Sequence, residues 1–151
     1  TSLNVPITSV ELDKSIVLIS CTTDSTRSRS EYWRVRAQLS SSTNIALHRT
    51  DHNGTVTIKW EVVTIGNIKK VQRGTTNPRQ TNDNPHTISV ASINMTKSFL
   101  VSTSCPSTYA ESGVLQLISG EILSSTQIGF YTEAIGTNSI PRTDWQLIEF
   151  E

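Results

Sequence analysis

Two stretches of this chain repeat each other, and that duplication restricts the fold more than any other feature. Ser9-Val10-Glu11-Leu12-Asp13-Lys14-Ser15-Ile16-Val17-Leu18 aligns with Ser92-Ile93-Asn94-Met95-Thr96-Lys97-Ser98-Phe99-Leu100-Val101 at an offset of 83 residues. The same offset carries Ser41-Ser42-Thr43-Asn44-Ile45-Ala46-Leu47-His48 onto Ser124-Ser125-Thr126-Gln127-Ile128-Gly129-Phe130-Tyr131 without a gap. A closing block, Trp60-Glu61-Val62-Val63-Thr64-Ile65, matches Trp145-Gln146-Leu147-Ile148-Glu149-Phe150 at an offset of 85, so the second copy holds two extra residues. Internal self-similarity means that one supersecondary unit is built twice, each copy helping to bury what the other exposes. The blocks delimit repeat A at residues 1–65, a segment at 66–86, and repeat B at 87–151.

Both copies read as strands. Trp33, Val35, Ala37 and Leu39 alternate with Tyr32, Arg34, Arg36 and Gln38, the period of two that a half-buried strand requires. Ile16-Val17-Leu18-Ile19 is a continuous apolar run, expected of a strand covered on both faces. From Thr55 to Ile65 the pattern again has period two, with Val56, Ile58, Trp60 and Val62 expected to face inward. Asn53-Gly54 just before it is a hairpin signal, because both residue types tolerate positive φ. Each repeat thus supplies about four to five strands. A single unit of this length would be marginal on its own. The expected fold is all-β, a pseudo-symmetric β-sandwich or barrel made from two tandem repeats, with two separate small domains as the alternative.

The composition suits such a chain. Apolar residues make up 35% and charged residues only 17%; Ser, Thr and Asn fill the difference, and they favour turns and, for Thr, strands. Formal net charge is zero, which argues against nucleic acid as a partner. The charge is unevenly placed, with 11 Lys/Arg against 6 Asp/Glu over residues 1–80 and 2 against 7 over residues 81–151. A basic and an acidic half can pair within the fold or between neighbouring copies. No apolar run reaches the ~18–20 residues of a membrane-spanning helix, so no membrane partner is expected, and no secretory signal is visible.

Residues 66–86 are rich in Asn, Thr, Gly and Pro and carry Lys69, Lys70, Arg73 and Arg79. The composition predicts a polar basic linker, either a plain surface connection or an arm that orders against a neighbouring subunit. The outward set Tyr32, Arg34, Arg36 and Gln38 of repeat A becomes Leu115, Leu117, Ser119 and Glu121 in repeat B. Leucines on that face imply a contact surface between repeats or between subunits. The candidate interface residues are therefore Arg34, Arg36, Leu115, Leu117, Lys69, Lys70, Arg73 and Arg79.

The chain contains no Gly-x-Ser-x-Gly, no phosphate-cradling glycine loop and no Cys/His metal spacing. No catalytic residue, cofactor or metal site is assigned, and the expectation is a non-enzymatic protein. His48 and His52 are four apart, but repeat B has Tyr131 where repeat A has His48, so the shared unit needs no ligand there. Cys21 and Cys105 lie at nearly matching places, which allows a disulfide or two free buried thiols. Asn53-Gly54-Thr55 and Asn94-Met95-Thr96 fit the N-glycosylation pattern, as chance matches would in so Asn- and Thr-rich a chain. Trp33, Trp60 and Trp145 could form a sugar-stacking platform, but the alternation directs all three inward, toward core packing.

The closing blocks also carry a resemblance. A Ser/Thr-rich strand leads into Trp-x-Val-Val-x-Ile over Ser41 to Leu47 and Thr55 to Ile65. The second instance, Trp-x-Leu-Ile-Glu-Phe, lies in Ser124 to Phe130 and Thr143 to Phe150. This resembles the tandem Trp-x-Val-Val-Glu-Phe-like β-repeats of tailed-phage virion proteins, from which repeat A departs by ending Thr64-Ile65. The resemblance implies a head-decoration, tail or fibre component, hence a virion or extracellular setting. The partners would be copies of itself or other virion proteins. The alternative reading is a carbohydrate-binding module or lectin-like adhesin, for which Tyr32 with Arg34, and Tyr109, are the aromatic candidates.

Overall fold

The computed structural model describes residues 1–23, 34–50, 54–78, 85–106, 117–133 and 141–151. Period-two stretches of β-branched residues become strands. The described elements are β1 (Ser2–Pro6), β2 (Ser15–Thr23), β3 (Arg36–Ser41), β4 (Asn44–His48), β5 (Val56–Thr64), β6 (Ile68–Thr76), β7 (His86–Ser89), β8 (Ser98–Pro106), β9 (Leu117–Ser124), β10 (Gln127–Glu133) and β11 (Pro141–Phe150). Two 3-10 turns, Leu12–Lys14 and Met95–Lys97, precede β2 and β8. The chain is all-β, in four small antiparallel sheets ordered β1-β4-β3, β2-β5, β7-β10-β9 and β6-β11-β8, an arrangement of the β-sandwich class.

The pairing registers recur at the sequence offsets. Ser15 faces Thr64 and Ile19 faces Trp60 in β2-β5, while Ser98 faces Glu149 and Ser102 faces Trp145 in β8-β11. Leu39 faces Ile45 and Ile122 faces Ile128, each pair next to a bulge. Backbone bonds from Ile7 to Thr43 and from Val10 to Ser42 are matched by Val90 to Thr126 and Ile93 to Ser125. In each of these pairs the register fixes which residues point the same way.

Three apolar clusters hold the chain. Val17, Val35, Ala37, Leu39, Ile45 and Leu47 form one in the first half. Ile93, Ile128, Phe130, Trp145 and Leu147 form its counterpart in the second. Each large side chain fully withdrawn from water contributes about 1.5–3 kcal/mol. The third cluster, Ile16, Ile68, Val71 and Ile148 with Val63 and Val101 beside it, joins residues from both halves.

Four expectations are corrected. The expected linker instead carries β6, which pairs along β11. Its strand character is hidden because Ile68 and Val71 are three apart. A register shift between Glu149 and Phe150 places Lys70 opposite Glu149 and Ile68 opposite Phe150, and both apolar residues are buried. Trp60 is not a core residue: it is 39% exposed, against 8% for Trp145. Trp145 lies against Gly74 of β6, whereas among the described residues β5 pairs only with β2. The run at Ile16 is covered for two residues, Ile16 and Val17, and then opens at Leu18, which is 39% exposed. Gly54 does have positive φ (81°), but no β4-β5 hairpin follows, because both edges of β4 are already taken by β1 and β3. Asn53 lies outside the described residues.

Candidate interaction interface

Each half leaves an edge open where its two sheets meet. In the first half the free edges of β2 and β3 form this seam, and the face of the β6-β11-β8 sheet closes it. Gln146 of β11 donates from Nε2 to the Val17 carbonyl (2.8 Å) and accepts the Val17 N–H at Oε1 (2.9 Å). Its side-chain amide thus replaces a neighbouring strand, and two buried backbone groups that would otherwise be unsatisfied are paired. Thr103 Oγ1 of β8 accepts the N–H of Ala37 in β3 (3.0 Å). Arg73 of β6 donates to the carbonyls of Leu12 (2.5 Å) and Ser15 (2.9 Å) at the base of the seam.

An ion pair anchors the centre. Arg36 Nη1 donates to Asp144 Oδ1 at 2.6 Å, and both side chains are nearly inaccessible. Thr75 Oγ1 stands between Asp144 Oδ1 (2.6 Å) and Gln38 Oε1 (3.1 Å). Arg36, expected on a contact face between repeats or between subunits, is 7% exposed, and that side of β3 is met by β11 and β8.

The other candidates divide. Arg73 joins the junction, and burial lowers the pKa of its guanidinium while Asp13 opposes that shift. Arg34 is half-buried, with its pKa likewise lowered by burial against an opposing effect of Cys105. Lys69 remains exposed but donates to Glu149 Oε1 at 3.0 Å. Glu149 also accepts the Asn94 N–H (3.0 Å). The Lys69 bond first, and then the Asn94 bond, hold its carboxyl below the usual range. Lys70 is exposed. Leu117 begins β9; its side chain, together with Leu115 and Arg79, lies outside the described residues, as do Tyr32, Trp33, His52 and Tyr109.

Asp144, Gln146, Thr75 and Thr103 were missed. The signal available was the difference between copies. Repeat B has Asp144 and Gln146 where repeat A has Lys59 and Glu61, a charge change on one strand face that local periodicity ignores.

The cysteines are free thiols, Cys105 buried and Cys21 partly so, with burial raising the Cys21 pKa. Asn94 of the second glycosylation triplet accepts the N–H and hydroxyl of Thr96 in its 3-10 turn. An apolar groove of about 240 Å³ opens beside Leu3, Val35, Leu47, Val56 and Ile58. A polar one of about 210 Å³ adjoins it at Arg36, His48, Arg49, Cys105 and Arg142. Burial first, then Arg36, lowers the pKa of His48. Among the described residues no group of three or more His, Cys, Asp or Glu is placed to hold a metal ion, and no described helix is long and apolar enough to cross a membrane.

Compared with family models, curated proteins and solved structures, the chain matches none.

Proposed function

We propose that this chain is a non-enzymatic structural subunit, a duplicated β unit that builds an ordered assembly with copies of itself. A phage virion surface, head-decoration, tail or fibre protein fits that role. The observation that carries the reading is the placement of its exposed apolar side chains. Leu3, Leu18, Trp60, Met95 and Phe99 are each at least 39% exposed. Large apolar groups left outside in this way mark contact sites. The opposite charges of the two ends of the sequence supply attraction between copies.

Light scattering of the purified chain at low and high salt tests this. The expected result is a particle several times 16.7 kDa that shrinks as salt screens the charged part of the contact. A monomer at both salts sinks self-assembly.

The exposed Trp60 indole favours a second reading, glycan binding by aromatic stacking. Titration with an oligosaccharide panel, read by tryptophan fluorescence, is expected to give a saturable change that Trp60→Ala abolishes. An unchanged spectrum across the panel removes this reading.

A further inference from the structure

The junction inside the chain joins unlike surfaces. The first half contributes its seam: the 3-10 turn at Leu12, the start of β2, and Arg36 to Gln38 of β3. The second half contributes a sheet face: Thr103, Asp144 and Gln146, supported by Arg73 and Thr75 of β6. Because the registers recur, each half owns a version of both surfaces, and one of each remains uncovered. The second half's seam holds Met95, Phe99, Ser119 and Glu121 where the first half's holds Leu12, Ile16, Arg36 and Gln38. The first half's face holds Leu18, Ser20, Lys59 and Glu61 where the second half's holds Val101, Thr103, Asp144 and Gln146.

The exposures follow this division. Met95 and Phe99 are 45% and 39% exposed, while Leu12 is half-buried and Ile16 only 4% exposed. Ser20, Lys59 and Glu61 are exposed, while Asp144 and Gln146 are 2% and 3%.

We propose that the uncovered seam of one copy docks on the uncovered face of a second copy, head to tail, repeating the internal junction between molecules. This inference rests on the self-assembly reading and adds the two surfaces that meet.

The internal contact indicates the partners. Ile16 and Val101 belong to one apolar cluster, so Phe99 of one copy meets Leu18 of the next. Arg36 bonds Asp144 directly, so Ser119 lies against Lys59. Gln38 approaches Asp144 through Thr75 of β6, so Glu121 comes within reach of Lys59, an ion pair of opposite charge, with no counterpart of Thr75 between them. Glu61, at the place of Gln146, can accept an N–H from the Leu100 backbone but cannot donate to its carbonyl. Among the described residues nothing pairs with the outer edge of β5 as β6 pairs with β11, so the two Arg73 bonds have no counterpart. The contact between copies is consequently weaker than the internal one and depends on concentration. One seam and one face per copy give rings or open filaments instead of closed pairs.

The test uses variants that each disable one side, with folding checked by far-UV circular dichroism. Leu18→Asp blocks the face and Phe99→Asp the seam. Either alone is expected to weaken association by at least about tenfold, leaving monomers where the unmodified chain assembles. Mixed in equal amounts, they retain one good seam and one good face, and a dimer that grows no further is expected. Lys59→Glu and Glu121→Lys, both at exposed positions, should each dissociate the assembly and restore it when mixed. If the unmodified chain assembles but the single variants assemble equally well, the seam-to-face inference falls and self-assembly stands on another surface. A mixture that stays monomeric also overturns the inference. If the unmodified chain never assembles, both readings fall together.

Discussion

Strands β5 and β11 occupy corresponding places in the two halves, yet they live in different environments. From Thr143 to Glu149 every residue of β11 is buried. It has β6 on one edge, β8 on the other and the seam of the first half against one face. Along β5 only the core-facing Val56, Ile58 and Val62, together with Val63, are partly covered. The same backbone pattern thus supports either a buried central strand or an exposed edge. What decides between them is a neighbour, and the side chains have adapted: Asp144 and Gln146 bond specific groups, where Lys59 and Glu61 face water. A shared register does not confer a shared energetic role.

That contrast can be tested position by position. The largest effect is expected at Asp144→Ala, which strands the buried Arg36 charge and should cost about 3–5 kcal/mol in denaturant unfolding. Lys59→Ala should cost no more than about 0.5 kcal/mol for the monomer; equal losses would erase the distinction. Next is Gln146→Leu, which leaves the Val17 N–H and carbonyl without partners, at about 1–3 kcal/mol for each stranded group. Glu61→Leu should be nearly neutral for monomer stability.

Glycines give a smaller, sharper contrast. A Cβ at Gly74 would sit 2.7 Å from the Trp145 ring, so Gly74→Ala should cost about 1–3 kcal/mol by overpacking. It should also shift the tryptophan emission. At Gly66, where a Cβ meets nothing within 4 Å, alanine should change stability by less than about 0.5 kcal/mol.

The smallest effect expected is a pH dependence confined to the second half. Glu149 has its folded pKa lowered, chiefly by Lys69. Its contribution is therefore complete above the unfolded-state pKa and is lost as pH falls through the folded one. Lys69→Ala should lower the neutral plateau slightly and flatten the acid limb of the stability curve, leaving stability below the folded pKa unchanged. The counterpart of Glu149 is Thr64, bonded to Ser15 Oγ at 2.8 Å, which has no charge to titrate.

Strand identity was legible wherever apolar residues kept a period of two, as at Val35-Ala37-Leu39, because local periodicity reports which side meets a core. Other features depend on relations that periodicity does not encode. The bulge at Lys69 broke the parity of β6, so its strand read as a linker. Arg36 read as part of a contact face, but a strand pattern cannot announce which sheet will cover it. Trp60 read as core because it keeps the alternation of Val56, Ile58 and Val62, but β6, the strand that covers its equivalent, follows β5 in sequence and pairs with β11. The site was legible only in part: Arg36 and Arg73 were named, while Asp144 and Gln146 emerge only when the two copies are compared as partners.

The Arg36–Asp144 pair has a consequence for fidelity. At the internal junction Arg36 of the seam meets Asp144 of the face; on the uncovered surfaces the seam carries Glu121 and the face carries Lys59 beside Glu61. Were a stray copy to lay its Glu121 seam on an Asp144 face, two carboxylates would be forced together. An Arg36 seam on a Lys59 face would likewise oppose two cations. Like-charge contacts of this kind cost several kcal/mol. In the proposed head-to-tail contact this polarity would act as an address, each seam accepted by one face and refused by the other, so that two related units on one chain would not exchange places.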